Sequence, residues 1–278
     1  MRNGILLIDK PQGKTSHDVV YAVRRALQTK RVGHAGTLDP MAVGLLIVLV
    51  GKATKLSDFL LNKYKTYRAG IRFGIETDTY DMEGTVVSEC IPDISAEQFQ
   101  NGLNSFFGTQ TQIPPMYSAL KKIGKKLYEL ARQGIEIDRE AREITIHSLK
   151  LESFTSNRAD ILVHCSKGTY IRSLAHDLGQ VLGCGACLDS LQRISSGAFH
   201  LKDSYSLEQL EQGEFTLIPT HSAFDCPSVF VNNEQEQRIR NGAPVIYENE
   251  PYLGDVKIFS QSGNFLCLAS AELRPYGC

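Results

Sequence analysis

Val32-Gly33-His34-Ala35-Gly36-Thr37-Leu38-Asp39-Pro40 leads into the apolar run Leu45 to Val50. Two glycines free the backbone to turn or to approach another chain closely. One histidine and one carboxylate stand five residues apart, with no second acid in the segment. Pro40 biases Asp39 towards an extended conformation, because the α region clashes with the proline ring. The stretch reads as a glycine-rich loop that sets a single carboxylate beside a buried strand. A plainer reading stands next to it. Asp-Pro is also a common helix start, with Asp as N-cap and Pro at the first helical position.

The flanking segments extend the pattern. Gly4 to Ile8 is a continuous apolar run that predicts a buried strand, followed by a turn at Asp9-Lys10-Pro11-Gln12-Gly13. Ser16 is the expected N-cap of a helix with Val19, Val20, Val23 and Leu27 at helical spacing. Its other face carries Arg24 and Arg25, with Lys30 and Arg31 beyond. Downstream, Ala53 to Leu61 reads as helical. Tyr67, Ala69, Ile71 and Phe73 then share one face of an alternating strand. Cations interleaved with Tyr64 and Tyr67 suit nucleic acid, since rings stack on bases while cations meet phosphates. The same alternation suits plain core packing of Tyr67.

Glu76 to Gly84 is acidic and turn-rich, lacks the twelve-residue calcium-loop pattern, and reads as a solvated connection. Ser95 with Gln98 forms a capping box ahead of Phe99, Leu103 and Phe106. After Pro114-Pro115 comes a second basic patch. Lys121, Lys122, Lys125, Lys126 and Arg132 surround a turn at Gly124 and a short helix closed by Gly134. Ile144 to Phe154, Ile161 to Cys165 and Leu188 to Ile194 predict strands, and Leu174, Leu178 and Leu182 a helix between the last two. Lys167-Gly168-Thr169 lacks the earlier glycine of a phosphate loop. Ser206 and Gln209 form another capping box. The composition shifts near Ser222, beyond which Val256 to Phe259 and Phe265 to Ala269 predict short strands in a small β-rich piece.

Residues 1–70 hold twelve Lys/Arg against four Asp/Glu, although the 278-residue chain carries 30 against 31. The later stretches are all acidic: nine against twelve in 71–150, five against eight in 151–222 and four against seven in 223–278. A general polyanion sponge is excluded. The asymmetry suits a phosphate-rich partner approaching one face, or an ordinary solvated surface. Met1-Arg2-Asn3-Gly4 runs straight into a strand rather than a secretory leader, and the seven cysteines are odd in number. A cytoplasmic protein with free thiols is expected. Cys184 and Cys187 form a lone C-x-x-C, and the histidines show no H-E-x-x-H, so no metal site is expected. The longest apolar run is too short to span a membrane.

Gly33 to Pro40, with Ala42 and Gly44 after it, resembles the signature loop of the bacterial tRNA pseudouridine synthase B (TruB) family. Further matches follow in the same order over roughly residues 4–200. They are Asp9-Lys10-Pro11, Lys65 to Arg68, Pro115 to Ala119, Gly124 to Tyr128 and Cys165 to Arg172. The resemblance implies isomerisation of one tRNA uridine, position 55 in the T loop, without metal or organic cofactor. The bond from ribose C1′ to base N1 breaks, the base turns, and C1′ bonds to C5. It implies Asp39 as nucleophile, kept ionised by Arg172, and Tyr67 stacked on the target base near the C5 proton. Tyr170 and Leu191 would line the uracil pocket, His34 would support the flipped nucleotide, and Lys10 would brace the loop.

The implied fold is α+β: a mixed β-sheet flanked by helices in a catalytic domain of residues 1–222. An insertion at about 115–143, carrying the lysine patch and Arg132, would grip the T arm of tRNA. Residues 223–278 would form a short PUA-like RNA-binding domain reaching the acceptor stem. Arg238, Arg240, Lys257 and Arg274 are its candidates for a basic patch. A monomer without obligate protein partner is expected. Two other readings compete. A tRNA-binding chaperone that refolds the elbow needs the basic patches but has no use for Asp39 paired with Arg172. A guide-RNA-dependent subunit would carry basic tails, which this chain lacks.

Overall fold

The computed structural model describes residues 3–118, 120–122, 124–247 and 252–273. Its contacts divide the chain into two compact units, Met1–Leu217 and Ile218–Cys278.

In the first unit the order is β1 (Gly4–Lys10), α1 (Ser16–Leu27), β2 (Val32–His34), β3 (Val43–Val50), α2 (Ser57–Leu61), β4 (Lys65–Phe73), β5 (Ile75–Thr77), β6 (Val86–Glu89), α3 (Ala96–Asn104) and β7 (Gly108–Gln112). There follow β8 (Lys121–Lys122), β9 (Lys125–Lys126), α4 (Leu127–Ala131), β10 (Arg142–Thr155), β11 (Arg158–Cys165), α5 (Ile171–Leu182), β12 (Ala186–Ser196), β13 (Phe199–His200) and α6 (Leu207–Gln212). The fold class is mixed α+β. The main sheet runs β1-β3-β12-β4-β11-β10-β7, with β2 beside β3 and β13 beside β12.

The apolar runs explain the centre of the sheet. A strand without a polar alternation must be covered on both faces. Leu45 to Val50 are indeed fully buried. Leu46, Val48 and Val50 pack with Val19, Val20 and Val23 of α1. Farther along, Tyr67, Ala69, Ile71 and Phe73 pack with Leu174 and Leu178 of α5 and Phe99 and Leu103 of α3. The Ser95 and Ser206 capping boxes form as expected, starting α3 and α6. The start of α1 differs. Thr15 is the N-cap, boxed with Asp18, and Ser16 is the first helical residue.

The register across three strands sets the site. β12 pairs with β3 in parallel over only Gln192↔Val43 and Arg193↔Gly44, and with β4 antiparallel through Arg193↔Tyr67 and Leu191↔Ala69. Gly44 has φ +97, and a Cβ there would lie 2.6 Å from the Arg193 carbonyl oxygen. Only glycine lets these two strands come so close.

The second unit holds β14 (Ser228–Val231), α7 (Asn233–Arg240), β15 (Gly254–Ser260) and β16 (Phe265–Ala271). β14 and β15 are parallel, β15 and β16 antiparallel, around Val229, Val231, Val256 and Ile258. The sequence showed the β15 and β16 strands but not α7, which is polar nearly throughout. Arg274 lies outside the described residues. No helix among the described residues is long and apolar enough to cross a membrane. The six described cysteines are free thiols.

Candidate active site

Asp39 lies in a non-helical turn, its carbonyl accepting from Ala42 N at 3.1 Å, so the helix-cap reading of Asp-Pro fails. Three neighbours hold that turn from below. Ser16 Oγ donates to Leu38 O at 3.1 Å and accepts from Leu38 N at 2.8 Å. Lys10 Nζ, fully buried, donates to Pro11 O, Lys14 O and Pro40 O. Burial lowers the Lys10 ammonium to a pKa of about 8. Arg193 Nε and Nη2 donate to Leu45 O and Gly36 O at 2.7 and 3.0 Å.

Arg172 stands in the first turn of α5, where the helix dipole disfavours a cation. It is 4% exposed and forks between two acids. Nη2 is 3.1 Å from Asp39 Oδ2, and Nη1 is 3.3 Å from Asp81 Oδ2. The same nitrogens donate to Tyr117 O at 2.7 Å and Thr79 O at 3.0 Å.

Asp81 corrects the expectation of a solvated acidic connection. It is buried, and its Oδ1 accepts from Thr79 Oγ1 at 2.6 Å and Glu83 N at 3.1 Å. The segment folds back on β12, with Met82 N donating to Leu188 O and Leu188 N to Tyr80 O. Long-range main-chain pairing therefore carries a turn-like acid into the core.

The electrostatics of Asp39 also differ from the expectation. Its carboxyl is raised above the ordinary range, not lowered. Burial is the largest cause, Arg172 pulls the other way, and Asp81 pushes up again. Arg172 is shared with Asp81, so it offsets the burial of Asp39 only in part. The Asp39 side chain still keeps 39% of its surface open to an incoming group.

Tyr67 and Leu191 lie together, buried in one cluster with Leu38 and Met41 of the loop. Burial raises the Tyr67 phenol. His34 ends β2, opposite Val48, and burial lowers its imidazole, which favours the neutral ring. Tyr170 caps α5, its N–H and C=O both bonded to the Gln112 side chain. Its ring faces the Arg142 guanidinium at 5.1 Å. Lys122 and Lys125 face each other in the β8–β9 hairpin, and Arg132 lies over the Tyr128 ring. The side chains of Lys121 and Lys126 lie outside what is described. Asp81 and Arg193 are the site members that sequence reasoning missed. No group of three or more metal-ligating side chains is assembled among the described residues.

A half-open carboxylate, a buried arginine fork and a buried tyrosine packed in one cluster with Leu38 and Met41 of the loop thus come together. Residues 24–171 match the TruB family pseudouridylate synthase N-terminal domain, and residues 172–217 the tRNA pseudouridylate synthase B C-terminal domain. The chain belongs to the TruB family of pseudouridylate synthases. It is therefore an isomerase of that family. Tyr67, Asp39 and Arg172 all fall within or at the edge of the matched segments. The tRNA pseudouridine synthase B of Clostridium perfringens is 44% identical, over 99% of this chain and 97% of its own. That of Azoarcus sp. is 51% identical, over 75% of this chain and 70% of its own. A chain of a Cbf5-Nop10-Gar1 complex shares the TruB-family architecture, with a TM-score of 0.72 at 25% identity, over 96% of this chain and 78% of that one. An archaeal box H/ACA Nop10-Cbf5 complex does so with a TM-score of 0.71 at 23% identity, over the same shares.

Proposed function

We propose that this chain converts the T-loop uridine of tRNA, position 55, to pseudouridine, with Asp39 as the nucleophile. The observation that carries the reading is the Asp39 carboxylate, exposed on one side and held by the buried Arg172 fork on the other. A binding protein without chemistry has no use for such a pair, because sinking a guanidinium into the core is costly. The chaperone reading gains no observation of its own.

In this account the target base is flipped out of the folded loop, at a cost of a few kcal/mol. It enters beside Tyr67 and Leu191, and His34 supports the displaced strand. Asp39 engages the sugar–base linkage as the N1–C1′ bond breaks. Arg172 fixes the carboxylate and disperses its charge. The base turns, C5 bonds to C1′, and Tyr67 accepts the C5 proton. Lys10 braces the loop through Pro40. The hairpin lysines and Arg132 meet phosphates of the T arm, and the second unit, read as PUA-like, contacts the acceptor stem. No cofactor enters this scheme. The test is Asp39→Asn. Pseudouridine formation is expected to vanish while tRNA affinity stays within several-fold. A collapse of binding would make Asp39 structural.

A further inference from the structure

Tyr80 stands between two residues that meet the same nitrogen. Thr79 O accepts from Arg172 Nη1 at 3.0 Å, and Asp81 Oδ2 lies 3.3 Å from that nitrogen. Thr79 Oγ1 also donates to Asp81 Oδ1 at 2.6 Å. The chain must therefore reverse sharply at residue 80. It does so with Tyr80 at φ +64, in the left-handed region. Glycine or asparagine is the usual choice there, because a Cβ crowds the backbone. Among the described residues, Gln28 is the one other non-glycine with positive φ, and it ends α1. A bulky side chain persists in such a conformation only where its surroundings hold it.

What holds Tyr80 is α5. The tyrosine ring lies flat on the His176 imidazole, with centroids 4.0 Å apart and planes 9° from parallel. His176 stands four residues after Arg172, on the same face of the helix. One turn farther along, Gln180 Nε2 donates to Glu76 Oε1. Arg172, His176 and Gln180 thus form one stripe, which grips the acidic segment at residues 76, 79, 80 and 81. The Nδ1 of His176 is buried without a hydrogen-bond partner among the described residues. The face of the ring, not that polar edge, makes the contact.

We propose that Tyr80 and His176 are positioning residues for the isomerisation. Main-chain pairing with β12 brings the turn to the site, and the stack sets how it faces α5. The stack holds Asp81 against Arg172, and Arg172 in turn sets the Asp39 carboxylate. The proposal rests on the function given above and adds two residues outside the Asp39–Arg172–Asp81 contacts.

The test measures single-turnover pseudouridine formation in a tRNA transcript, with tRNA affinity measured beside it. Tyr80→Asn keeps a residue that tolerates the left-handed turn and removes the ring. His176→Leu removes the ring's partner and leaves a good helix former. The two variants approach the stack from opposite sides, so misfolding of one does not decide the result. Each is expected to slow conversion about tenfold with tRNA affinity unchanged, because the loss is one of alignment. Tyr80→Phe and His176→Phe keep both flat faces and are expected to recover most of the rate. The deciding comparison uses an Asp81→Asn background, where the stack has no carboxylate left to aim. There Tyr80→Asn is expected to slow conversion by less than about twofold. An equal loss in both backgrounds would overturn the proposal, since the stack would then act by another route. Full rates in Tyr80→Asn and His176→Leu would overturn it too. So would a loss confined to tRNA affinity, which would make the ring a contact of the RNA. If the unaltered protein gives no product, the proposed function itself fails; once it gives product, these outcomes judge the stack alone.

Discussion

Arg172 serves two carboxylates, Asp39 and Asp81. Asp81 pushes the Asp39 carboxyl up, and burial does so more strongly. If isomerisation needs ionised Asp39, activity falls as pH drops through that raised pKa. The acid limb then lies above the ordinary carboxylate range. Asp81→Asn removes the like charge, so the limb should move to lower pH. The plateau rate should fall about tenfold or more as Arg172 loses an anchor. A single-turnover pH profile checks both, and an unmoved limb would confine Asp81 to folding. Asp39 was legible because glycines and Pro40 set it apart from its surroundings. Asp81 was not, because acids in turn-rich segments are usually solvated and only pairing with β12 buries this one. Arg193 was hidden by a bulge. Strict alternation from Leu188 points residues 190, 192 and 194 inward. The register shift at Asp189 turns Leu191 and Arg193 inward instead.

At the scale of elements, α1 divides two tasks between neighbouring hydroxyls. Thr15 caps the helix, whereas Ser16 Oγ bonds both main-chain groups of Leu38, one residue before Asp39. Thr15→Ala should cost about 1 kcal/mol of stability with little change in rate. Ser16→Ala leaves a buried N–H and C=O unpaired, at about 1–3 kcal/mol, and should also slow isomerisation. Denaturant melts and single-turnover rates on the two variants separate these effects; equal rates would remove the latch from the account. The sequence pattern put the cap at Ser16, whereas the box partner Asp18, three residues after Thr15, fixes it at Thr15. The boxes at Ser95 and Ser206 were readable because a helical apolar stripe or a clear polar turn followed them. α7 carries an equivalent box at Asn232 and Gln235 but, apart from Ile239, no apolar residue to give it a period. Its docking on Val229 and Ile258 through Ile239 is a tertiary fact.

For the whole molecule, the break between units falls after Leu217, earlier than the composition shift at 222. His221 packs its ring on Phe259 and Phe265, which draws the preceding residues into the second unit. Such long-range packing leaves no local mark in the chain. Net charge, by contrast, was legible throughout, and in the proposed function it governs docking. If the basic segments meet phosphates, tRNA affinity falls linearly in log–log form with added salt. Removing the exposed Lys125 should reduce that slope by about 1 and weaken binding to all tRNAs alike. A slope unchanged in Lys125→Ala would take the β8–β9 hairpin out of the docking surface. The central claim is that one carboxylate isomerises one uridine, and mapping tests it most directly. The protein is incubated with an unmodified tRNA transcript, without added metal or cofactor, and pseudouridine is located at every position beside an Asp39→Asn control. The account predicts product at the T-loop uridine alone, absent in the variant, with both proteins binding the transcript. Product retained in Asp39→Asn, or none from the unaltered protein despite tight, salt-sensitive binding, would contradict it.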